Sequence, residues 1–152
     1  MCWPAIHDIT TDPGDPPRFD ALLARRTGRW VSAPDYDGAP AAAEQRRAYP
    51  YVQPLVLRTG RAQVFDSALA AARAMGWEIV AADAPAGRIE AIATTRLLRF
   101  KDDVAIRLRE DGAGTRVDVR SKSRLGRGDL GTNARRIRRY LAALTQIHAG
   151  EH

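Results

Sequence analysis

Three groups of residues have types and spacings that could do chemistry. Gly126-Arg127-Gly128-Asp129-Leu130-Gly131 has the G-x-G-x-x-G spacing with which glycines let backbone amides approach a phosphate, and it falls between a predicted strand and a predicted helix. Around it stand Arg120, Ser121, Ser123, Arg124, Arg127, Asn133 and Arg136. With the unsatisfied N–H groups of a helix start they would make an anion cradle. The adjacent pair Asp102-Asp103, with Asp129, is the best candidate polar site for acid–base work or for a hard cation.

Each group has a plainer reading. A dinucleotide fingerprint belongs in a βαβ unit with a parallel strand after the helix and an acidic residue about 20 positions on. Here the helix is the last element and Glu151 lies in the tail, so that reading fails. Neighbouring residues on a strand point to opposite faces, so Asp102 and Asp103 cannot share one metal ion unless a bulge or turn lets them. Ser121 and Ser123 have no base at hand, because His7, His148 and His152 all lie near the termini, and Lys101 and Lys122 have no spacing that marks a base. The single Cys2 excludes an internal disulfide framework, and these histidines leave no zinc cluster. No catalytic residue, metal or cofactor is assigned. The plain alternative to a cradle is that Asp129 or Thr132 caps the last helix, the glycines form the turn, and Arg120 and Arg124 pair with Asp102, Asp103 or Asp118. Trp77 and Phe100 are expected in the core.

Charge placement favours a binding role. The chain of 152 residues has 24 basic and 18 acidic side chains, a net +6, yet residues 96–139 alone hold 14 Lys/Arg and 6 Asp/Glu. That is +8 there and 10 minus 12, or −2, elsewhere, so the whole positive excess is C-terminal. It would attract a phosphate-bearing ligand, an anionic membrane surface or an acidic partner. Nucleic acid fits less well, since no aromatic-interleaved strand or recognition helix is evident. No apolar run approaches the ~18–20 residues of a membrane helix, and the chain as given is expected to be soluble.

The elements that must position these residues follow from periodicity. Seven of the nine prolines fall in the first fifty residues, so residues 1–48 read as an extended arm and linker. Its Ile9, Phe19 and Leu22 should pack on the rest, and the alanine-rich stretch 33–48 should be mobile. Residues 49–149 read as the main domain. Leu55-Val56-Leu57 gives a strand; Val64, Phe65, Ala68, Leu69, Ala72 and Met75 give a helix, with Thr59 its expected cap. Four strands follow, around Ile79, Ile89/Ala91/Ala93, Val104/Ile106/Leu108 and Val117/Val119, and Ile137, Tyr140, Leu141, Leu144 and Ile147 define a final helix. The order β-α-β-β-β-β-α predicts an α+β fold, an antiparallel sheet with two helices on one face. A helix-grip-like curvature is preferred; a ferredoxin-like or TATA-binding-protein-like half is the alternative. The opposite strand faces, with Glu90, Asp103, Arg107, Asp118, Arg120 and Lys122, should be polar and solvated. A cavity between sheet and last helix would mark a small-molecule binder, and a filled core would mark surface recognition.

Several blocks also carry a resemblance. Asp8-Ile9-Thr10-Thr11-Asp12-Pro13 with Pro16-Pro17-Arg18-Phe19, Gly76-Trp77-Glu78-Ile79-Val80, Gly87-Arg88-Ile89-Glu90-Ala91, Phe100-Lys101-Asp102-Asp103 and the run Val117 to Ile137 are together similar to the domain-of-unknown-function family 1499, over about residues 8–144. Many of its members are bacterial and carry membrane helices before this domain, so the resemblance implies a membrane-tethered, even periplasmic, domain if the chain is part of a longer protein. It implies no activity. The reading that results is a non-enzymatic binding or assembly module that recognises an anionic ligand or protein partner through residues 96–139, near a membrane. A small enzyme with an Asp/Arg/Ser site is the alternative, and a nucleic-acid binder a third.

Overall fold

Period-two alternation along the second half of the chain becomes one antiparallel sheet. In the computed structural model, which describes residues 4–126 and 129–151, the elements are β1 (Asp8–Thr10), a 3-10 turn (Ala21–Arg25), α1 (Ala39–Ala48), β2 (Leu55–Leu57), α2 (Arg61–Ala74), β3 (Glu78–Asp83), β4 (Arg88–Thr94), β5 (Lys101–Asp111), β6 (Gly114–Ser123) and α3 (Thr132–Glu151). The strands run β1-β6-β5-β4-β3 across the sheet, and β2 also pairs with β6. Two short strands thus share one edge of β6, β1 against Arg120, Ser121 and Lys122 and β2 against Thr115, Arg116 and Val117. The fold is mixed α+β, as the periodicity indicates.

One sheet face is apolar. Ile89, Ala91 and Ala93, Val104, Ile106 and Leu108, and Val117 and Val119 are buried together with Val64, Ala68 and Ala72 of α2 and Ile137, Tyr140 and Leu144 of α3. Trp77 stacks on Tyr140 at 5.1 Å between ring centroids, and the Tyr140 hydroxyl donates to the Ala68 carbonyl at 2.9 Å. Aromatic side chains therefore fill the centre of the layer between sheet and last helix. Burial pushes the Tyr140 phenol far above its ordinary value. The hairpin between β5 and β6 needs a glycine for space: a Cβ on Gly114 would sit 2.3 Å from the Leu57 carbonyl oxygen of β2.

The other face departs from expectation. It is not solvated but covered by the arm, and Asp8, Glu90, Asp103, Asp118, Arg120 and Lys122 are each at most 4% exposed. Burial is tolerated because every carboxylate meets donors. Asp8 accepts two bonds from Arg120 (2.9 and 2.8 Å) and one from Lys122 (3.3 Å). Asp103 accepts from Arg26 and Arg124, and Asp118 from Thr11, Arg107 and Arg116. Glu90 takes the backbone N–H groups of Asp20, Ala21 and Leu22 at 2.7, 2.9 and 3.2 Å, donors that a helical turn leaves without internal partners. Phe19 and Leu22 pack there on Ile92 and Ala105.

Two local expectations also fail for physical reasons. Within stretch 33–48, residues 39–48 form α1: Pro40 occupies the first turn, where its missing N–H costs nothing, and Gln45 anchors the helix. The Gln45 side chain accepts from Thr10 N at 3.0 Å and donates to Thr10 O at 2.8 Å, closing the outer edge of β1. Thr59 does not cap α2, whose N-cap is Gly60; its carbonyl instead accepts from the Thr115 hydroxyl at 2.7 Å.

The charged layer makes a direct prediction. Asp8→Ala leaves Arg120 and Lys122 buried without their carboxylate, so it should cost about 3–5 kcal/mol, the usual penalty for breaking a buried pair from one side. Urea unfolding would check it, and an unchanged midpoint would mean that the arm contributes little to stability.

Candidate functional site

Alternation along β6 decides which of the predicted anion-binding residues can meet. Arg120 and Arg124 lie on the arm side of the sheet, while Ser121 and Ser123 lie on the helix side, so the residues expected to form one cradle are divided between two faces. Arg120 is fully engaged: besides Asp8 it donates to the carbonyls of Pro17 (3.2 Å) and Pro34 (2.6 Å), and its guanidinium lies 4.3 Å from the centroid of the Phe19 ring. Arg124 holds Asp103 through Nε at 3.1 Å and Nη2 at 2.8 Å. Both are thus bound to carboxylates, Arg120 to Asp8 rather than to the acids expected from spacing. Arg127 and Gly128 lie outside the described residues.

The remaining residues do converge, at the end of the sheet below the start of α3. Asn133 is the hub: its Nδ2 donates to Ser123 Oγ at 2.9 Å and to Asp129 Oδ2 at 2.7 Å, and its Oδ1 accepts from Ser121 Oγ at 2.7 Å and Arg136 Nη1 at 2.8 Å. Arg136 reaches Asp102 at 2.7 Å. Asp129 accepts from the backbone N–H groups of Gly131 (2.8 Å) and Asn133 (3.0 Å), which is the expected cap on the last helix. Asp102 and Asp103 point to opposite faces, one toward Arg136 and the other toward Arg26 and Arg124.

Above this polar floor opens a cleft of about 360 Å³. Thr95, Leu97, Leu98 and Phe100 form one lip, Leu125, Gly126, Leu130 and Thr132 the other, and Asp102, Ser123 and Asp129 the floor. The lips are apolar and open to solvent, with Leu97 90% exposed, Leu130 64% and Leu98 63%. Thr95 and Phe100 close the first lip on itself, Thr95 N donating to Phe100 O and Phe100 N to Thr95 Oγ1, both at 2.8 Å. Each lip carries one non-glycine residue in the left-handed region, Arg99 at φ 58° and Leu130 at φ 53°. Exposed Arg96, Arg99, Lys101 and Arg135 stand beside the lips in sequence. Phe100, expected in the core with Trp77, lines the cleft instead, whereas Trp77 is buried as expected. The available signal was Leu97-Leu98 followed by Phe100 in a connection between two strands, where apolar residues have no core to enter.

Two other places hold concentrated polar groups. A cleft of about 520 Å³ under the arm is lined by Phe19, Tyr36 and Arg120 with Asp15 and Asp35. Its buried guanidinium already belongs to Asp8, and burial with the nearby Asp8 charge pushes the Tyr36 phenol up to about 12. The second place was missed because His148 lies near the C-terminus. Ser67 Oγ sits 2.9 Å from His148 Nδ1 and donates to Glu151 Oε2 at 2.6 Å, and His148 Nε2 is 2.8 Å from Thr59 Oγ1. Ser67 is wholly buried in the helix–helix contact, so the cluster clasps α2 to α3 and offers no nucleophile to a substrate.

Sheet, arm and cleft together define an α+β module with a closed core and an open, apolar-lipped end. The chain belongs to the family of proteins of unknown function DUF1499, whose profile matches residues 8–144 and so includes the arm strand and the buried charged layer. No curated protein sequence matches it. Among solved structures it is similar to the crystal structure of TTHA0849 from Thermus thermophilus, at 13% identity and a TM-score of 0.40, over 64% of this chain and 95% of that one. Among the described residues no helix is long and apolar enough to cross a membrane.

The floor and the lips each make a prediction. Burial holds the Asp102 carboxyl above its ordinary 3.8, with Arg136 and Ser123 pulling partly back. A carboxyl raised in this way takes its proton first in the folded state, so its contribution is fully present below the unfolded value and is lost as pH rises through the folded one. Asp102→Asn should therefore gain on the parent as pH rises above about 4. A stability difference that does not change with pH would show that the carboxyl is not held high. Leu130→Gly relieves a left-handed backbone at the expense of unfolded-state entropy, for an expected gain of roughly 0.5–1 kcal/mol in thermal or urea unfolding.

Proposed function

We propose that this chain is a non-enzymatic binding module that docks on an anionic lipid surface with its two lips. The observation that carries this is the exposure of Leu97, Leu98, Phe100, Leu125 and Leu130 on adjacent loops at one end of the sheet. Large apolar side chains shown to water in such a cluster are suited to the boundary between headgroups and acyl chains. The flanking Arg96, Arg99 and Lys101 add attraction of about 1 kcal/mol per basic residue near an anionic surface. The anionic partner suggested by the C-terminal charge excess is retained, but the cations that meet it are these exposed ones. Arg120, Arg124 and Arg136 are already held by Asp8, Asp103 and Asp102.

An enzymatic reading has less support, because the best acid–base candidates are committed to internal ion pairs. Sedimentation with vesicles tests the docking. The protein should pellet with vesicles of phosphatidylcholine containing phosphatidylglycerol, far less with phosphatidylcholine alone, and less again as salt shortens the screening length. The double variant Leu97→Asp/Leu98→Asp should lose binding by about tenfold or more while melting like the parent, since both side chains are exposed. Arg124→Ala should bind as the parent does. Equal binding to neutral vesicles, or full binding by the double variant, would overturn the proposal.

A further inference from the structure

We propose that a cleft between the arm and the start of β4 is an anion site that takes a soluble phosphate monoester. The cleft has a volume of about 290 Å³ and is lined by Arg18 of the arm, Arg88 of β4, Arg107 and Arg109 of β5, and Asp15 with Pro16. This goes beyond docking and uses other residues. Arg88 pairs with Arg107 at one end of the ladder between β4 and β5, whereas Thr94 pairs with Lys101 at the lip end, roughly 20 Å away along the strands. The lips can therefore meet a surface while this cleft stays open to water, so its ligand is a dissolved one.

The lining charges select the guest. Four guanidinium groups share one lining carboxylate, that of Asp15. Arg109 Nη2 donates to Asp15 Oδ2 at 2.8 Å, and Arg107 is taken up by Asp12 at 3.0 Å, by Asp118 at 3.4 Å and by the Asp15 carbonyl at 2.8 Å. The bond from Arg109, with Arg107 and Arg18 close by, holds the Asp15 carboxyl below its ordinary value. Arg18 and Arg88 are the unspent pair. Arg88 donates to the Arg18 carbonyl at 3.0 Å, and among the described residues no carboxylate forms an ion pair with either side chain. The residues outside that set, Met1 to Trp3, Arg127, Gly128 and His152, include no Asp or Glu. Asp83 stands opposite Arg88 in the ladder, yet its Oδ1 accepts from Ala86 N at 3.1 Å. Beside the cleft the Nε of Arg107 is buried with no acceptor among the described residues. Two unspent planar forks match a phosphate monoester, which offers three terminal oxygens and close to two negative charges. A carboxylate brings one charge and two oxygens, which Asp15 already supplies.

Methyl phosphate, inorganic phosphate and acetate, titrated at matched ionic strength and about pH 8, test this while the amide signals of Asp15, Arg18, Arg88 and Arg109 are followed by NMR. Both phosphates should give saturable shifts, and acetate should bind at least about tenfold more weakly. Arg18→Gln and Arg88→Gln break no ion pair, so both variants should melt like the parent while each loses phosphate affinity by about tenfold. Asp15→Asn removes the competing carboxylate and should tighten phosphate binding. Absence of saturable shifts, equal affinity for acetate, or unchanged affinity in both arginine variants would each overturn the assignment. Sedimentation separates this site from the lips. Arg88→Gln should pellet with anionic vesicles as the parent does, and Leu97→Asp/Leu98→Asp should bind methyl phosphate as the parent does. Loss of pelleting in Arg88→Gln would give the cleft to a lipid headgroup and overturn the soluble ligand.

Discussion

A charged layer buried between sheet and arm is the constraint on which the rest of the structure depends. Taking an unmatched carboxylate out of water costs several kcal/mol, so each of Asp8, Asp103, Asp118 and Glu90 must find its donors in the folded chain. Those donors fix the arm. β1 lies where Asp8 meets Arg120 and Lys122, the 3-10 turn starts where Glu90 can receive its N–H groups, and Arg26 returns to Asp103. Specific geometry follows from charge here, since a purely apolar cover could slide.

The same layer accounts for much of the lopsided charge distribution. The arm's Asp8, Asp12 and Asp15 are bound by Arg120 and Lys122, by Arg107 and Arg116, and by Arg107 and Arg109. An excess that suggests an external anion is thus consumed in part by acids a hundred residues away in the chain. Of the cations left at the surface, Arg96, Arg99 and Lys101 flank the lips and Arg138 and Arg139 lie along α3.

The sheet is legible in the chain because alternation at period two and helical spacing are properties of the sequence itself. The apolar sets at residues 89–93, 104–108 and 117–119 all face the helices. Alternation also implies the opposite orientations of Asp102 and Asp103, and the same rule separates Arg120 from Ser121 when it is carried through to the glycine loop. Other features are out of reach. Periodicity reports that a face is polar but not whether water or another part of the chain covers it, and an alanine-rich helix whose anchor is a glutamine shows no apolar stripe. Phe100 reads as core from its type, and its place in a cleft is set by the closed turn that Thr95 makes with it.

The amide of Gln45 has one more consequence. It occupies the outward N–H and carbonyl of Thr10, the groups through which an added strand would extend the sheet, while at the far margin β3 carries an irregular register between Ile79 and Ala81. Occupied Thr10 groups on one margin and a kink on the other work against templated stacking of copies into fibrils. On the proposed lipid surface, where copies would gather in two dimensions, such protection would matter most, because crowding multiplies every chance encounter between margins.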